Sequence, residues 1–420
     1  MNPKRLVGVL KNNRGLRALW MGETISLFGD YFFDVAIMWI VFQYTHSSLI
    51  TALVAVFTFI PQVIAGPLLG VLADRLNRRR LMQVASIIQA GATGLLAISF
   101  GLHRFAVWEV YATGFVISLA NTAYYPARLA VFPDLVDSED LMTANALFDS
   151  SQQIARVVGS SLSGVILMSV GASLTVGLDA LSFLAIATLV RSVPVHPFTP
   201  SSEDNSSHFM QQLREGGGWI LRHRVVLSII TIGALSNIGL GPITVLPPML
   251  IRQAFHGNAA HLGWFDGSLG GGMIVGGLLV GSLRIERVGR FFAAMLGLEG
   301  LGLAIVSVSP YFWMAMAGNL VLGGAIVGAN IPLNTLFQHI VPIELRGRVF
   351  SLAFAVSGIA VPLTYGAAGV FADSVGPRLP YLSGSTLLIL SMAIALLVPG
   401  LRNFRSATQV PDIKSQQSLS

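Results

Sequence analysis

The chain alternates long runs of apolar residues with short polar segments. A helix of about 20 apolar residues spans the hydrocarbon core of a bilayer, and each run here is roughly that long or longer. The predicted spans are 16–44, 48–73, 80–101, 105–128, 140–169, 171–191, 225–255, 260–283, 290–309, 311–340, 349–372 and 377–400. The pattern therefore predicts an all-α membrane protein with twelve transmembrane helices in two groups of six.

The polar stretch between the two groups has the composition of a linker. Residues 192–207 contain three prolines and a run of small polar residues. The residues that follow, 209–224, mix apolar side chains with Arg and Glu, which predicts a short amphipathic helix at the membrane surface. We predict an N-terminal half at 1–191, a cytoplasmic linker at 192–224, a C-terminal half at 225–401 and a cytoplasmic tail at 402–420.

Composition and charge agree with a membrane protein. The chain is 53% hydrophobic and only 11% charged, which excludes an ordinary soluble domain. Most Lys and Arg residues fall in segments on one side of the predicted membrane, and only Arg104, Arg252 and Arg378 fall on the other. By the positive-inside rule both termini are cytoplasmic, and the protein is a multi-pass protein of the cell (inner) membrane. The net charge of +6 reflects this topology, so we expect no nucleic-acid partner.

One polar loop occurs twice. Residues 70–80 join spans 2 and 3 and carry Gly70, Asp74, Arg75 and three further arginines. Residues 281–290, between spans 8 and 9, keep the glycine and the basic residues but have Ile285 in place of the aspartate. The repetition indicates two related halves that have diverged at this loop.

Several short motifs occur in a fixed order along the chain. They are Tyr125-Pro-Ala-Arg128, Phe132-Pro-Asp-Leu-Val136, Asp179-Ala-Leu-Ser-Phe183, Pro332-Leu-Asn-Thr335 and Arg346-Gly-Arg-Val-Phe350. With the repeated loop and the twelve spans, the chain resembles the major facilitator superfamily, in the branch of macrolide, multidrug and siderophore exporters. The resemblance implies two pseudo-symmetric six-helix halves and a secondary transporter that exports amphipathic small molecules by alternating access, coupled to protons. We expect a monomer in contact with membrane lipid.

The resemblance also implies a gate. In this family the loop between spans 2 and 3 holds the inner ends of the halves together, and Gly70, Asp74, Arg75 and Arg78 occupy the matching positions. The alternative is that these arginines only anchor the topology. In span 5, the segment from Gly159 to Gly164 is similar to the antiporter signature, with Ser160 and Ser163 at positions of proline and glycine, and we include Gly159 among the gate residues.

Ionisable residues within the spans are the candidates for coupling, because each costs at least about 2.5 kcal/mol at the bilayer centre. Asp30 and Asp34 lie four residues apart, on one face of span 1. Two carboxylates this close repel each other, which favours proton uptake by one of them. The alternative is that one of them faces a wet cavity or has a structural partner.

Span 5 carries Asp149 and Arg156, seven residues apart and therefore on one helix face. Arg156 lies at about the depth of Asp30 and Asp34, which predicts an ion pair with one of them. Protonation of that aspartate would release Arg156 and give a two-state element, whereas a permanent structural pair is the alternative.

Two further acidic residues lie within spans. Asp179 in span 6 serves either transport or a structural partner such as Arg156, and Glu299 in span 9 is isolated among apolar residues and glycines. We take both as candidates for proton or substrate coupling.

No enzyme motif is present in the sequence. The chain has no Walker loop, no cysteine and no histidine pair at a helical ligand spacing, so we expect no catalytic residue, cofactor or metal site. Two alternative functions remain, a siderophore or lysophospholipid carrier and a non-transporting receptor or scaffold on the same fold. The charges inside the membrane disfavour the second, because a scaffold gains nothing from them.

Overall fold

The computed structural model describes the backbone of residues 8–11, 13–194, 217–220, 222–342 and 345–404. Within these ranges the side chains of 67–68, 70–75, 334–335, 338–339, 346–348, 350–351 and 353–359 are not described. The described residues form helices joined by short turns and contain no β strand. Most of the predicted linker, including 195–216, and the tail from 405 lie outside the described residues.

In the described part of the N-terminal half, four long helices are followed by a segment made of two helices and the turn between them. The helices are α1 Arg14–Thr45, α2 Ser48–Arg75, α3 Arg78–Gly101, α4 Val107–Val131, α5 Leu141–Ile154 and α6 Ser160–Leu189. A 3₁₀ turn, Phe132–Leu135, follows α4, and a π-helical turn, Ala155–Gly159, connects α5 to α6.

The described part of the C-terminal half contains six long helices. They are α7 Arg224–Val245, α8 Ala259–Ser282, α9 Val288–Val308, α10 Phe312–Ile340, α11 Arg346–Val375 and α12 Arg378–Leu397. A second π-helical turn, Leu250–Ala254, lies between α7 and α8.

Eight helical segments in the described part of the chain are long and apolar enough to cross a membrane. The longest, 141–192, makes two passes, as its contacts with α1 show. Ser151 accepts a hydrogen bond from Trp20, Gly159 packs on Tyr31, and beyond Gly171 the contacts return toward the start of α1. Gly171 has φ 81° and ψ 173°, a backbone conformation that only glycine adopts without strain, and it allows this reversal. The count of twelve spans stays a prediction.

The two ends of the bundle differ in what they contain. We call the end that holds Arg14, Pro194, Arg224 and Arg402 the linker end. We call the opposite end the far end. It holds the turns at His46, His103, Gly171, His256 and Gly376. His46, His103 and His256 have left-handed backbone conformations there, and the described residues form no cluster able to hold a metal ion.

The apolar cores show where the halves meet. At the far end, one core combines Trp39 and Phe42 of α1 with Leu250, Phe265 and Tyr381 of the C-terminal half. At the linker end, the described residues form separate cores. One lies within the N-terminal half, around Leu16 and Phe132, and one within the C-terminal half, around Phe292 and Leu336. The halves are therefore joined by apolar packing at the far end, with separate cores at the linker end.

Small residues allow the closest approach of the halves. Gly164 of α6 lies against the carbonyl oxygen of Ala259, and Gly263 of α8 lies against the carbonyl oxygen of Ser160. Neither position has room for a Cβ atom, so the two helix backbones touch directly, as small residues permit in membrane bundles. The segment that resembles the antiporter signature thus forms part of the contact between halves.

Candidate functional site

The larger cavity, of about 580 Å³, lies within the N-terminal half and extends from mid-helix toward the linker end. A volume of this size suits a drug-sized molecule. Its lining includes a set of acidic residues from α1, α5 and α6. They are Glu23, Asp30, Asp34, Asp149 and Asp179. Aromatic side chains line the same cavity, so it combines negative charge with apolar surface.

Asp30 and Asp34 both face this cavity from one side of α1, as their four-residue spacing predicts. Asp30 is half-buried and Asp34 is open to the cavity. Within the described part of the chain, neither carboxylate forms a salt bridge or accepts a hydrogen bond. Both are therefore available to a proton or to a ligand that enters the cavity.

Asp179 also lies at this cavity but is fully buried. Its Oδ1 accepts a hydrogen bond from Ser182 Oγ at 3.3 Å, whereas its Oδ2 has no partner. The carboxylate packs on Gly29 of α1, where a Cβ atom would lie 2.6 Å from Oδ1. Asp179 points toward α1 and pairs with Ser182, so the structure does not contain the alternative of an ion pair between Asp179 and Arg156.

Sequence reasoning missed an ion pair in the same cavity. Arg128 Nε of α4 lies 2.7 Å from Glu23 Oε1 of α1, and Tyr124 donates a hydrogen bond to the same oxygen at 3.2 Å. The Arg128 guanidinium also lies 5.1 Å from the ring centre of Phe148. By the charge pattern alone, Arg128 contributes only to topology. Two features of the sequence could have indicated this pair. Arg128 belongs to the Tyr125-Pro-Ala-Arg128 motif, and Glu23 is an acidic residue within an apolar run.

A second cavity, of about 420 Å³, lies between the two halves. The N-terminal half contributes Tyr31, Asp34 and Arg156, and the C-terminal half contributes Asp266 and Tyr365. Because Asp34 and several other residues line both cavities, the two spaces adjoin. Asp266 is therefore a site residue that sequence reasoning had left without a role.

Arg156 does not form the predicted ion pair with Asp30 or Asp34. No described carboxylate oxygen pairs with its guanidinium, and its buried Nε has no hydrogen-bond partner. The aliphatic stem packs on α8, where a Cβ atom at Gly270 would lie 3.3 Å from Arg156 Cγ. The Arg156 side chain thus faces the C-terminal half. The prediction used only the depth of Arg156 along span 5, and depth does not specify the direction of a side chain.

Asp149 and Arg156 line different cavities rather than one common face. Asp149 is exposed in the larger cavity, whereas Arg156 lies in the cavity between the halves. Arg156 belongs to the π-helical turn, whose wider backbone rotates it relative to a regular α-helix. The seven-residue rule therefore does not hold across this segment.

Glu299 lies away from both cavities. It is buried on α9 with 3% of its surface exposed, and its Oε2 has no partner. The neighbouring Gly297 and Gly300 pack on Met392 and Ile389 of α12. Its part in proton coupling stays a prediction.

The predicted gate residues are described only in part. The side chains of Asp74 and Arg75 and the surroundings of Gly70 are not described. Arg78 donates a hydrogen bond to the carbonyl oxygen of Ala130 at 3.0 Å and lies 3.5 Å from Asp134 Oδ2, both within the N-terminal half. Gly159 packs on α1, where a Cβ atom would lie 3.1 Å from Tyr31 Cβ.

Residues 11–419 match a protein family described as "Transmembrane secretion effector". Curated relatives include macrolide efflux protein A of Streptococcus pyogenes, which is 26% identical over 92% of this chain and 96% of its own length. The enterobactin exporter EntS of Citrobacter koseri is also 26% identical, over 97% of each chain. The multidrug efflux pump Tap of Mycobacterium bovis is 26% identical over 95% of this chain and 97% of its own length.

Solved transporter structures share the fold. The nucleoside transporter NupG superposes with a TM-score of 0.71 at 13% identity and covers 90% of this chain and 98% of its own. A bacterial homologue of the iron transporter ferroportin, solved in an inward-facing state, gives a TM-score of 0.69 at 17% identity over 96% of this chain and 98% of its own.

Proposed function

The chain belongs to the transmembrane secretion effector family of the major facilitator superfamily, and we propose that it is a proton-coupled exporter of amphipathic small molecules. The observation that carries the proposal is the set of unpaired carboxylates Asp30, Asp34 and Asp179 around one membrane cavity. Such groups are costly within a bilayer unless they bind a proton or a ligand. The protein is a multi-pass membrane transporter rather than an enzyme.

The arrangement of the cores supports alternating access. A common core joins the halves at the far end, and the larger cavity extends toward the linker end, where the described cores are separate. The predicted topology places the linker end in the cytoplasm, so this is the inward-facing conformation in our proposal. Export then requires the halves to rock about the cavity until the far end opens.

The carboxylates supply the means of proton coupling. Asp34 lines both cavities and therefore joins the N-terminal cavity to the space between the halves. In that space Arg156 and Asp266 line the cavity from opposite halves, so a change of charge on Asp34 alters the electrostatic attraction between the halves. Three further residues stay candidates for proton or substrate coupling, namely Asp149, Asp179 and Glu299. The same proposal includes a gate formed by Gly70, Asp74, Arg75, Arg78 and Gly159.

The relatives support export as the direction of transport. Macrolide efflux protein A, the enterobactin exporter and the multidrug pump are all named as export proteins, and each covers most of this chain. Export of drug-like or macrolide-like molecules is the proposal that fits both the relatives and the aromatic, acidic cavity.

The test is transport by inverted membrane vesicles from cells that produce the full chain. Uptake into the vesicles corresponds to export, and the panel consists of a macrolide, a fluorescent dye and a catecholate siderophore. We expect uptake of the macrolide or the dye that starts with an imposed inward-acidic pH gradient and stops when an ionophore collapses it. Uptake that is unchanged without the gradient contradicts proton coupling, and no uptake of any compound contradicts the transport proposal.

A siderophore or lysophospholipid carrier is the second candidate, supported by the similarity to the enterobactin exporter. Uptake of the catecholate siderophore in the same vesicle assay would support a siderophore carrier. Transfer of a labelled lysophospholipid between the leaflets of the membrane would support a lipid carrier. A non-transporting receptor or scaffold is disfavoured by the unpaired membrane carboxylates.

A further inference from the structure

We infer that the transported molecule is an amphipathic organic cation and that Asp30, Asp34 and Asp179 bind its positive charge. The inference rests on the proposed transport function and narrows its substrate class. The charge of the ligand distinguishes an amine-bearing compound from an anionic compound of similar size.

The charge of the larger cavity is the first observation. Its described lining contains five carboxylates but one basic residue, Arg128. Arg128 lies 2.7 Å from Glu23 Oε1, so this pair is neutral overall. The lining therefore leaves Asp30, Asp34, Asp149 and Asp179 without a basic partner.

The position of Asp179 is the second, independent observation. The residue is fully buried in the cavity wall, and its Oδ2 has no hydrogen-bond partner. Because Gly29 has no side chain, the Asp179 carboxylate packs directly on α1, beside Asp30. A buried acceptor that the protein itself leaves unsatisfied needs a partner from outside, either a proton or a cationic ligand.

The aromatic lining fits the rest of such a ligand. Phe33, Tyr124, Tyr125, Phe148 and Phe183 line the same cavity as the carboxylates. Aromatic faces attract cations and also bury apolar surface. The protein uses this chemistry internally, because the Arg128 guanidinium lies 5.1 Å from the Phe148 ring centre and 6.0 Å from that of Tyr125.

The lining of the second cavity, between the halves, is also more acidic than basic. Its described lining carries Asp34 and Asp266 against Arg156 alone. An anion that moved from the larger cavity toward the far end would pass these two carboxylates, whereas a cation meets favourable charge along the same route. The acidic lining therefore selects against anionic ligands as well as for cations.

The experiment uses tetraphenylphosphonium and tetraphenylborate, two ions of nearly equal size and shape but opposite charge. Binding of each radiolabelled ion to the purified full chain in detergent is measured by equilibrium dialysis at pH 8, without any gradient. We expect tetraphenylphosphonium to bind and tetraphenylborate neither to bind nor to displace it. Absent phosphonium binding, or borate binding of equal or higher affinity, overturns the inference.

Single substitutions assign the charge to named residues. We expect Asp30→Asn, Asp34→Asn and Asp179→Asn each to weaken phosphonium binding by about ten-fold or more. The matched control is Asp137→Asn, an exposed aspartate in the turn before α5 that lines neither cavity, and it should bind like the unaltered protein. Size-exclusion profiles identify any variant that does not fold, and Asp34→Glu, which keeps the charge, should restore most of the affinity. Unchanged binding in all three Asn variants overturns the assignment.

The outcome separates this inference from the proposed function. Binding without a gradient does not depend on proton coupling, so phosphonium binding can hold where proton-driven export fails. Conversely, proton-driven export of a neutral or anionic compound together with absent phosphonium binding overturns the cation inference alone.

Discussion

Asp373 in the last turn of α11 accepts a hydrogen bond on Oδ1 from the backbone N–H of Ser48 at the start of α2, at 2.6 Å. Its Oδ2 accepts from Ser47 Oγ at 2.7 Å and from the N–H of Leu49 at 3.1 Å. A carboxylate of the C-terminal half thus caps a helix of the N-terminal half, where free N–H groups and the helix dipole favour negative charge. This contact helps to hold the far end closed.

We predict that Asp373→Ala shifts the protein toward a conformation that is open at the far end. Loss of hydrogen bonds to an exposed carboxylate removes about 1 kcal/mol, which changes the ratio of the two conformations about five-fold. The chain contains no cysteine, so spin labels attach only at introduced sites. Labels at Leu102→Cys and Tyr311→Cys, exposed at the far end of each half, should report a larger fraction of long distances.

The control for this prediction is Ser374→Ala. Ser374 is exposed beside Asp373, and its hydroxyl donates a hydrogen bond to Phe371 O within its own helix. A distance distribution that is equal in the Asp373→Ala and Ser374→Ala proteins would contradict the capping role.

We predict that Gly164→Ala impairs closure of the far end and lowers the export rate. A Cβ atom at Gly164 would collide with the carbonyl oxygen of Ala259 in the other half, and overpacking of this kind costs about 1–3 kcal/mol. The matched control is Gly271→Ala on α8, because nothing lies within 4 Å of a Cβ atom at that position. Equal export by the two variants in the vesicle assay would show that the close contact is not required.

We predict that the double substitution Asp30→Asn and Asp34→Asn abolishes proton-driven export while the protein level stays normal. The two amides cannot exchange a proton in the cavity, so the pH gradient no longer drives the cycle. Vesicle uptake with an imposed gradient measures this, with Asp137→Asn as the control. Export at the original rate in the double variant sinks the proposal that these residues carry the proton.

We predict that Asp74→Ala opens the linker end further, because the resemblance places this residue in the gate that joins the halves there. Labels at Met142→Cys and Leu397→Cys, both exposed at that end, measure the separation of the halves. The fraction of long distances should rise relative to Asp137→Ala. A distribution equal to that of the control would limit the loop to anchoring the topology.

We predict that Arg128→Met destabilises the protein more than the double variant Glu23→Gln with Arg128→Met. The single change leaves the Glu23 carboxylate without its partner, and breaking a buried pair in this way costs about 3–5 kcal/mol before discounting for partial exposure. Glu23 and Arg128 are 13% and 19% exposed at their side chains, so we expect about 2–3 kcal/mol. Thermal unfolding in detergent gives the comparison, and a double variant less stable than the single one would rule out this account.

The sequence alone determined the class of protein and the residues of interest along each helix. Three features depend only on residues that are near each other in the chain, so the order of residues is enough to recognise them. They are the apolar runs of membrane-spanning length, the basic residues on one side of the predicted membrane, and the spacing of Asp30 and Asp34. Both aspartates face one cavity, as that spacing predicts.

Only the tertiary structure decided which side chains meet across helices. Asp373 and Ser48 lie 325 positions apart, and Tyr124 reaches Glu23 over 101 positions, while Arg156 faces Gly270 of α8 rather than an aspartate of α1. These contacts depend on the rotation and depth at which each helix packs, and a π-helical turn changes that rotation for Arg156. Local apolar periodicity is nearly the same for every face of a buried helix, so the sequence does not specify these pairings, whereas packing does.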